Sequence, residues 1–243
     1  MQIIKLSATE STNTYLKALA TKNKLQDFTV VTTQNQTSGR GQMDAKWESE
    51  EGKNLAFSIL KKEFGLNVNQ AFLISISVSL AILDGLKQLG IPKLSIKWPN
   101  DILSGDRKIG GILIENMISG SKIRSSVIGF GLNVNQDSFK NIPHAASLKE
   151  IVGRSFDLDE VLYVLIENLN KHLMKPIDFL EEELFAAYHA NLYRIGKLSK
   201  FRIQGKEFVN GVIKGITDSG KLQVEMQNSN VEEFGLKEIQ LIY

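Results

Sequence analysis

Two strands built around glycine constrain this chain more than any other feature. Ile109-Gly-Gly-Ile-Leu-Ile-Glu115 and Ser125-Ser-Val-Ile-Gly-Phe-Gly-Leu-Asn-Val134 have the apolar, β-branched character of strands, yet carry Gly110, Gly111, Gly129 and Gly131 inside them. Interior glycine weakens a strand, and it marks a place where a ligand or another part of the chain lies close against the backbone. The two runs can pair as a hairpin through Ser119-Gly-Ser-Lys122. The expectation is a sheet with a bare floor and something seated on it.

A loop suited to closing over such a floor lies upstream. The strands Phe28–Gln34 and Leu55–Leu60 bracket Ser38-Gly-Arg-Gly-Gln-Met-Asp-Ala-Lys-Trp47. Gly39 and Gly41 let the backbone approach an anion, Arg40 supplies a guanidinium, and Trp47 can shut the loop over a flat ligand. A surface turn with a stray tryptophan is the plain alternative, and the loop alone does not choose between them. Glu10-Ser-Thr-Asn-Thr-Tyr-Leu16 places capping residues before an amphipathic run, so a helix is expected to start near Ser11. Its free N–H groups form a second candidate ligand site, or are simply capped. Lys97-Trp-Pro-Asn-Asp101 stops the strand 94–98, because Pro99 cannot continue the ladder and pushes Trp98 into an extended conformation. Lys97 and Asp101 are thereby expected at a strand end facing a cleft, with Lys108 opening the first glycine strand.

Elsewhere the chain reads conventionally. Residues 70–89 read as a long buried helix; the Ile74-Ser-Ile-Ser alternation also suits a strand, but the length and the spacing of Leu80, Leu83 and Leu86 favour helix. Its most apolar part, Ala71 to Leu83, falls short of the roughly 20 residues that span a bilayer. Helical periodicity returns over 159–174 and 178–190. From Gly196 onward short β-like runs at 200–203, 208–213 and 221–226, separated by turns at Gln204-Gly205 and Asp218-Ser-Gly220, point to a small barrel. The layout is an α+β domain over 1–193 followed by a β-barrel over 194–243. A net charge of +2 without any Lys/Arg-rich run lends no support to nucleic-acid binding, and no secretory leader stands at the N-terminus. Cysteine is absent and the three histidines, His144, His172 and His189, lack ligand spacing, so no protein-held metal is expected.

Taken together, Glu-Ser-Thr-Asn (10–13), Gln36-Thr-Ser-Gly-Arg-Gly41 with Trp47, Lys-Trp-Pro-Asn-Asp (97–101), Lys108-Ile-Gly-Gly and Gly-Phe-Gly-Leu-Asn (129–133) closely resemble the biotin–protein ligases, also called biotin–[acetyl-CoA-carboxylase] ligases. Each motif alone is weak; five in order along essentially the whole chain are specific. The resemblance implies an α+β fold with a central mixed/antiparallel sheet and flanking helices, the class II synthetase-like biotin/lipoate ligase fold, and an SH3-like β-barrel at the C-terminus. It implies ATP and biotin as substrates, Mg2+ held mainly by phosphates, and a biotin carboxyl carrier protein as acceptor. It also allows a homodimer, and it implies a cytoplasmic enzyme with no nucleic-acid or membrane partner. By the same resemblance Ser11, Thr12, Asn13 and Gln36 bind the ureido head of biotin, with Gly111 in the wall of its pocket. Arg40, with the Gly39 and Gly41 amides and Gln42, binds the carboxylate and phosphate region. Lys108 neutralises charge developing between carboxylate and α-phosphate. Trp47, Lys97, Asn100 and Asn133 hold the adenylate, Trp47 covering adenine and Asn133 reading its edge. Asp101 either takes the proton of the acceptor lysine or pairs with Lys97; both roles remain open at this point.

Two departures from the family's pattern stand out. Many members carry arginine at the positions held here by Gln42 and Ala45, so this loop has less charge with which to retain an adenylate. Some members also begin with a helix-turn-helix of about sixty residues, which is lacking here, so the chain is expected to be monofunctional. Among rivals, octanoyl transferases of the same superfamily need a cysteine nucleophile, which is absent. Lipoate–protein ligase is the nearest enzyme alternative, disfavoured by the Lys97–Asp101 motif and the terminal barrel. A non-catalytic biotin-binding module is disfavoured by the presence of both Arg40 and Lys108. A dinucleotide site fails, because Asp44 stands where the third glycine of its fingerprint belongs.

Overall fold

The computed structural model describes residues 1–139, 142–175, 177–204 and 208–243, apart from the side chains at 44, 178 and 179. The expected turn at Gln204-Gly205 therefore lies partly outside the described residues. Twelve strands and five α-helices are present among the described residues. β1 (Ile3–Thr9), β2 (Thr29–Gln36), β3 (Leu55–Lys62), β4 (Leu94–Lys97), β5 (Asp101–Ser104), β6 (Arg107–Ser119) and β7 (Lys122–Leu132) make one sheet in the order β1-β2-β3-β7-β6-β5-β4. β1 and β2 are parallel, joined by α1 (Thr12–Lys22), and every other pair is antiparallel. The sheet is mixed, with the β6–β7 hairpin turning at Gly120 and Ser121.

One face of the sheet is covered by helices. α2 (Ala71–Gln88) and α4 (Leu158–Leu173) pack on it and α5 (Glu181–Ala190) packs on α2, with side chains such as Ile74, Val78, Leu165 and Tyr188, all fully buried. α2 is longer than the apolar segment 71–83 and passes, by length and composition, as long enough to cross a membrane; in this fold it is largely buried against α4, α5 and the sheet. The other face is only partly covered. α1 lays Leu16 over Val31, Leu60 and Val127, and beside its N-terminus the sheet is open. That half-covered face is where the cleft forms.

The second sheet contains β8 (Leu198–Ile203), β9 (Phe208–Ile216), β10 (Leu222–Met226), β11 (Val231–Phe234) and β12 (Ile239–Ile242). Its order β11-β10-β9-β8-β12 is a four-strand meander with the last strand returned beside the first, antiparallel throughout. Alternation along β8 puts Phe201 and Ile203 inside and Lys200 and Arg202 outside, as a half-buried strand requires. The apolar core is continuous between the two sheets, since Phe201, Ile213, Leu222 and Ile239 belong to the same cluster as α2 and α4. Two polar contacts seat the second sheet. Trp98 Nε1 donates to the Gly220 carbonyl (2.8 Å), and the Ile216 amide donates to His189 Nε2 (3.1 Å).

Several elements depart from the sequence reading. β1 was not anticipated, because Ile3–Thr9 is only half buried at a sheet edge and lacks clean alternation. Pro99 does end β4, but the chain turns at once into β5, so Lys97–Asp101 is a hairpin rather than a strand running into a loop. The helix expected over 178–190 is regular only from Glu181. The short α3 (Leu148–Val152), with Ser147 as its cap, and the strands β11 and β12 are too brief to announce themselves by periodicity.

Gly220 tests how the two sheets are held together. Its φ is +82°, and a Cβ there would run into the ring of Phe72. Gly220→Ala is expected to destabilise the chain by about 2–4 kcal/mol in a denaturant titration, combining left-handed strain with overpacking. A change below about 0.5 kcal/mol, the scale of an ordinary surface substitution, would show that this joint is not tight.

Candidate active site

The open face of the first sheet is paved with small residues because of register. Across neighbouring strands one row reads Lys97, Asp101, Gly111, Gly131, Ala56, Thr33. The next row contains Leu113, Gly129, Ser58 and Val31. Successive side chains alternate faces, so these positions all point the same way. The result is a cleft of about 310 Å³, at the small end of the roughly 300–1,000 Å³ usual for small-molecule sites.

Lys108 reaches this face through an irregularity. Strict alternation from Gly111 would turn it to the helical side. The register between β5 and β6 shifts between Ile102 and Leu103, however, leaving Ile109 as an extra residue, which is a β-bulge. Lys108 Nζ then lies 2.6 Å from Asp101 Oδ1, while Lys97 Nζ lies 3.6 Å from Asp101 Oδ2. One carboxylate thus holds two lysines, each from a different strand. Burial pushes the Lys97 ammonium toward losing its proton; the Asp101 charge opposes this and the Lys108 charge adds to it, with a net lowering. Asp101 as an ion-pair partner is therefore the geometry observed, and it serves both lysines rather than Lys97 alone. Asn100 donates from Nδ2 to the Ile112 carbonyl (2.8 Å), which secures the hairpin beside the floor.

At the other end of the cleft the N-terminus of α1 meets β2 and β3. The Thr12 amide donates to Gln36 Oε1 (2.9 Å). The Ser58 hydroxyl donates to Asn13 Oδ1 (2.6 Å) and stands 2.7 Å from the Thr12 hydroxyl. Asn13 donates through Nδ2 to Glu115 Oε2 (3.0 Å) and to the Leu113 carbonyl (3.2 Å). Its amide lies directly over Gly129, where a Cβ would overlap it. Ser11 is the helix cap by position, but its side chain makes no capping bond and lines the cleft.

The loop 38–47 folds back on itself. The Trp47 amide donates to the Gly39 carbonyl (2.9 Å), the Gly41 amide donates to the Ala45 carbonyl (2.6 Å), and Arg40 pairs with Lys46 as a β-bridge. Gln42 opens a 3₁₀ turn in which Met43 has φ +56°, and it faces the cleft. Arg40 Nη2 donates to Glu115 Oε1 (3.0 Å) and Nη1 to the Thr14 hydroxyl (3.3 Å). Burial raises the Glu115 pKa, but its bonds from Asn13 and Arg40 outweigh that and hold it below the usual carboxylate value. The indole of Trp47 lies on the glycine floor, with Gly131 beneath it, Gly111 at its edge and the Lys108 ammonium 5.7 Å from its ring centre. Its Nε1 is buried and has no hydrogen-bond partner among the described residues.

Most of the residues singled out in the sequence meet in this cleft: Ser11, Thr12, Asn13, Gln36, Arg40, Gly41, Gln42, Trp47, Lys97, Asn100, Asp101, Lys108 and Gly111. Two do not. Gly39 lies behind the loop, supporting Trp47 through its carbonyl. Asn133 is buried at the end of β7, where Nδ2 donates to the Ala146 carbonyl (3.1 Å). The amide of Gly41 also departs from expectation, since the hairpin-like loop consumes it internally. Sequence reasoning missed Ser58 and Glu115. Ser58 had a signal, being the one hydroxyl in the apolar run Leu55–Leu60; Glu115 shares the alternation of Gly111 and Leu113. It also missed the rim supplied by the second sheet, including Leu236, Lys237 and Gln240. Asp101 is the one carboxylate among the described lining residues, and no cluster of three acidic, histidine or cysteine side chains forms among the described residues.

Comparisons with known proteins show that the chain belongs to the biotin/lipoate A/B protein ligase family, which residues 6–133 match. The chain is 28% identical over 233 residues to the biotin–[acetyl-CoA-carboxylase] ligase of Mycobacterium tuberculosis, covering 95% of this chain and 85% of that protein. It is 30% identical over 234 residues to the bifunctional ligase/repressor BirA of Escherichia coli, covering 90% of this chain and 68% of that protein. Among solved structures it is similar to a biotin protein ligase from Aquifex aeolicus in complex with biotin and ATP. That match has a TM-score of 0.80 and 25% identity, covering 99% of this chain and 98% of that one.

The floor supplies its own test. A Cβ at Gly131 would come within 2.5–2.9 Å of three indole atoms of Trp47. Gly131→Ala is expected to expel the indole and red-shift its fluorescence, read as the difference from the matching Trp47→Phe chain because Trp98 also emits. An unshifted spectrum would show that the indole does not rest there.

Proposed function

We propose, from the membership of this chain in the biotin/lipoate A/B protein ligase family, that it is a biotin–protein ligase. It is an enzyme that activates biotin with ATP and passes it to a lysine of a carboxylase's biotin carrier. A carboxylate oxygen of biotin attacks the α-phosphorus, the bond to the β-phosphate breaks, and pyrophosphate leaves. The acceptor amine then attacks the acyl carbon, loses its proton and displaces AMP. The observation that carries this reading is the pairing of two lysines through Asp101 at one end of a small-residue floor, facing the Thr12–Asn13–Gln36 network at the other.

The residue roles follow the geometry. Ser11, Thr12, Asn13 and Gln36 form a rigid donor and acceptor array suited to the ureido head, fixed from behind by Ser58 and Glu115. The floor of Gly111, Gly129 and Gly131 admits ring and chain close to the backbone. Lys108 sits where charge develops during adenylation; a preorganised cation there is worth about 3–4 kcal/mol. Arg40 leaves Glu115 to reach the ligand, and the loop must open for this, because Trp47 occupies the floor. Trp47, Lys97 and Asn100 hold the adenylate, with Asn133 bracing the strand end from which its edge is read. Asp101 orients both lysines, and this favours an anchoring role over that of a base. The lining residues fit Mg2+ held by phosphate oxygens, because Asp101 is already engaged by two ammonium groups.

We take residues 1–193 as the catalytic unit and 194–243 as an SH3-like barrel whose rim closes the cleft. The physiological setting read here is cytoplasmic, where ATP is supplied. A homodimer has β1 available as an open sheet edge. No nucleic-acid partner is assigned.

A mixture of biotin, ATP, Mg2+ and a carrier domain is expected to release pyrophosphate and to add one biotin to the carrier, read by intact mass. Lipoate in place of biotin is expected to give neither product; labelling with lipoate alone would overturn the assignment. Lys108→Ala is expected to lower kcat for pyrophosphate release by about 100-fold or more, in line with loss of one preorganised charge-stabilising group. A second expectation concerns the loop's missing charge. Gln42→Arg should slow dissociation of preformed biotinoyl-AMP by about 10–100-fold, the scale of one charged hydrogen bond. An unchanged dissociation rate would show that position 42 does not retain the intermediate.

A further inference from the structure

Against the Lys97 ammonium stands an aromatic shelf to which the reaction above gives no role. The Lys97 ammonium lies 5.0 Å from the ring centre of Tyr243. That ring is itself wedged between His144 at 5.1 Å and Tyr193 at 5.4 Å. Tyr193 is pinned in turn, its hydroxyl donating to Asp106 (2.6 Å) and the Arg194 guanidinium lying 5.7 Å from its ring. The shelf thus joins the second sheet, the segment after β7, the chain after α5 and the β5–β6 turn at one lysine of the cleft.

We propose that Tyr243 is a positioning residue of this active site, its ring face holding the Lys97 ammonium charged and aimed at Asp101. The inference rests on the ligase reading and adds to it a residue from outside the catalytic sheet. Lys97 is only 20% exposed, and an ammonium so placed needs compensation for the water it has lost. The charged and titratable groups around it act in opposite senses. Asp101 on β5 favours the charged form, whereas Lys108 on β6 and burial itself disfavour it. Lys237 also lines the cleft from the second sheet. A ring quadrupole within about 6 Å adds attraction for the cation without adding a net charge. It therefore supports Lys97 without competing for Asp101 and without repelling an anionic ligand, as a second carboxylate would. Tyr243 stays neutral in this role, since burial first, and then the charges of Asp101 and Asp106, push its phenol up to about 12.

The sign of the consequence is fixed. Lys97 contributes as a cation, so activity that depends on it is present at low pH and is lost as pH rises through its folded pKa. Removing the ring's attraction while keeping the site filled lowers that pKa and brings the alkaline loss to a lower pH. The test measures kcat/KM for pyrophosphate release against pH in the full chain with biotin and ATP. Wild type, Tyr243→Phe and Tyr243→Leu are compared, with Tyr243→Met taking the place of Leu if that chain loses its cooperative unfolding transition. The expected result is an alkaline limit lowered by about 0.5–1 pH unit in the Leu chain, the size of a partly desolvated cation–π contact. The Phe chain should keep the wild-type limit. A Leu chain with the wild-type limit overturns the proposal, as does a Phe chain shifted as far as Leu, which would assign the effect to the hydroxyl. A wild-type chain that releases no pyrophosphate at any pH overturns instead the ligase reading on which the proposal stands.

Discussion

Close approach to a bare sheet is the constraint on which the rest of this structure depends. Gly111 and Gly131 are paired directly across β6 and β7, and Gly129 sits two residues along from Gly131 on the same face. The absence of three Cβ atoms makes room for Trp47 and Asn13 to lie on the backbone itself. A glycine in a central strand costs of order 0.5–1 kcal/mol relative to alanine, and the fold sustains three on one face. The stability that offsets them comes from the opposite face, where α2, α4 and α5 bury a continuous apolar core. One side of the sheet is given to packing and the other, beside the N-terminus of α1, to chemistry.

The two carboxylates of the site, Asp101 and Glu115, are both neutralised by cations. Asp101 is shared by Lys97 and Lys108, and Glu115 by Asn13, Arg40 and Lys17. Each carboxylate keeps its cations oriented in a partly dry site, where an unpaired charge would be costly. An anionic ligand then meets Lys97 and Lys108 already in place, while Arg40 exchanges Glu115 for it as the loop opens. The ring of Tyr243 extends the same logic at Lys97, with a face that attracts a cation and carries no charge of its own. The second sheet is thus part of the site's wall and not an appendage, which accords with a core that runs unbroken between the two sheets.

Much of this was legible residue by residue. The glycines inside two strands pointed to a floor, the Gly-Arg-Gly loop with Trp47 left a ligand loop or a surface turn open, and the capping run 10–13 placed a helix terminus that the fold brings to the cleft. The resemblance carried by five short motifs then supplied the chemistry. Ser58 and Glu115 went unread because a single buried polar residue in an apolar strand looks the same whether it serves a site or merely satisfies itself. Asn133 and the Gly41 amide were read as ligand contacts, but each is engaged by the chain's own backbone. The edge strand β1 and the short strands β11 and β12 escaped because half-buried segments of four to seven residues carry little periodicity.

The sequence by itself determined the composition of the two faces, since alternation in a strand has period two and needs no partner to be read. It determined where the chain bends back, through Pro99 and the glycine turns, and which residue types were on hand for anion chemistry. Only the tertiary structure decided that Lys108 joins them. An extra residue at Ile109 reverses the parity of β6 between Lys108 and Gly111, turning the lysine from the helical face to the cleft, where Asp101 receives it. A bulge is a property of two strands in register, not of one strand's pattern, and so the placement of that cation depends on how β5 and β6 meet. The pairing of Lys97 with Tyr243 has the same origin, because residues 146 positions apart are brought together by packing that no local periodicity encodes.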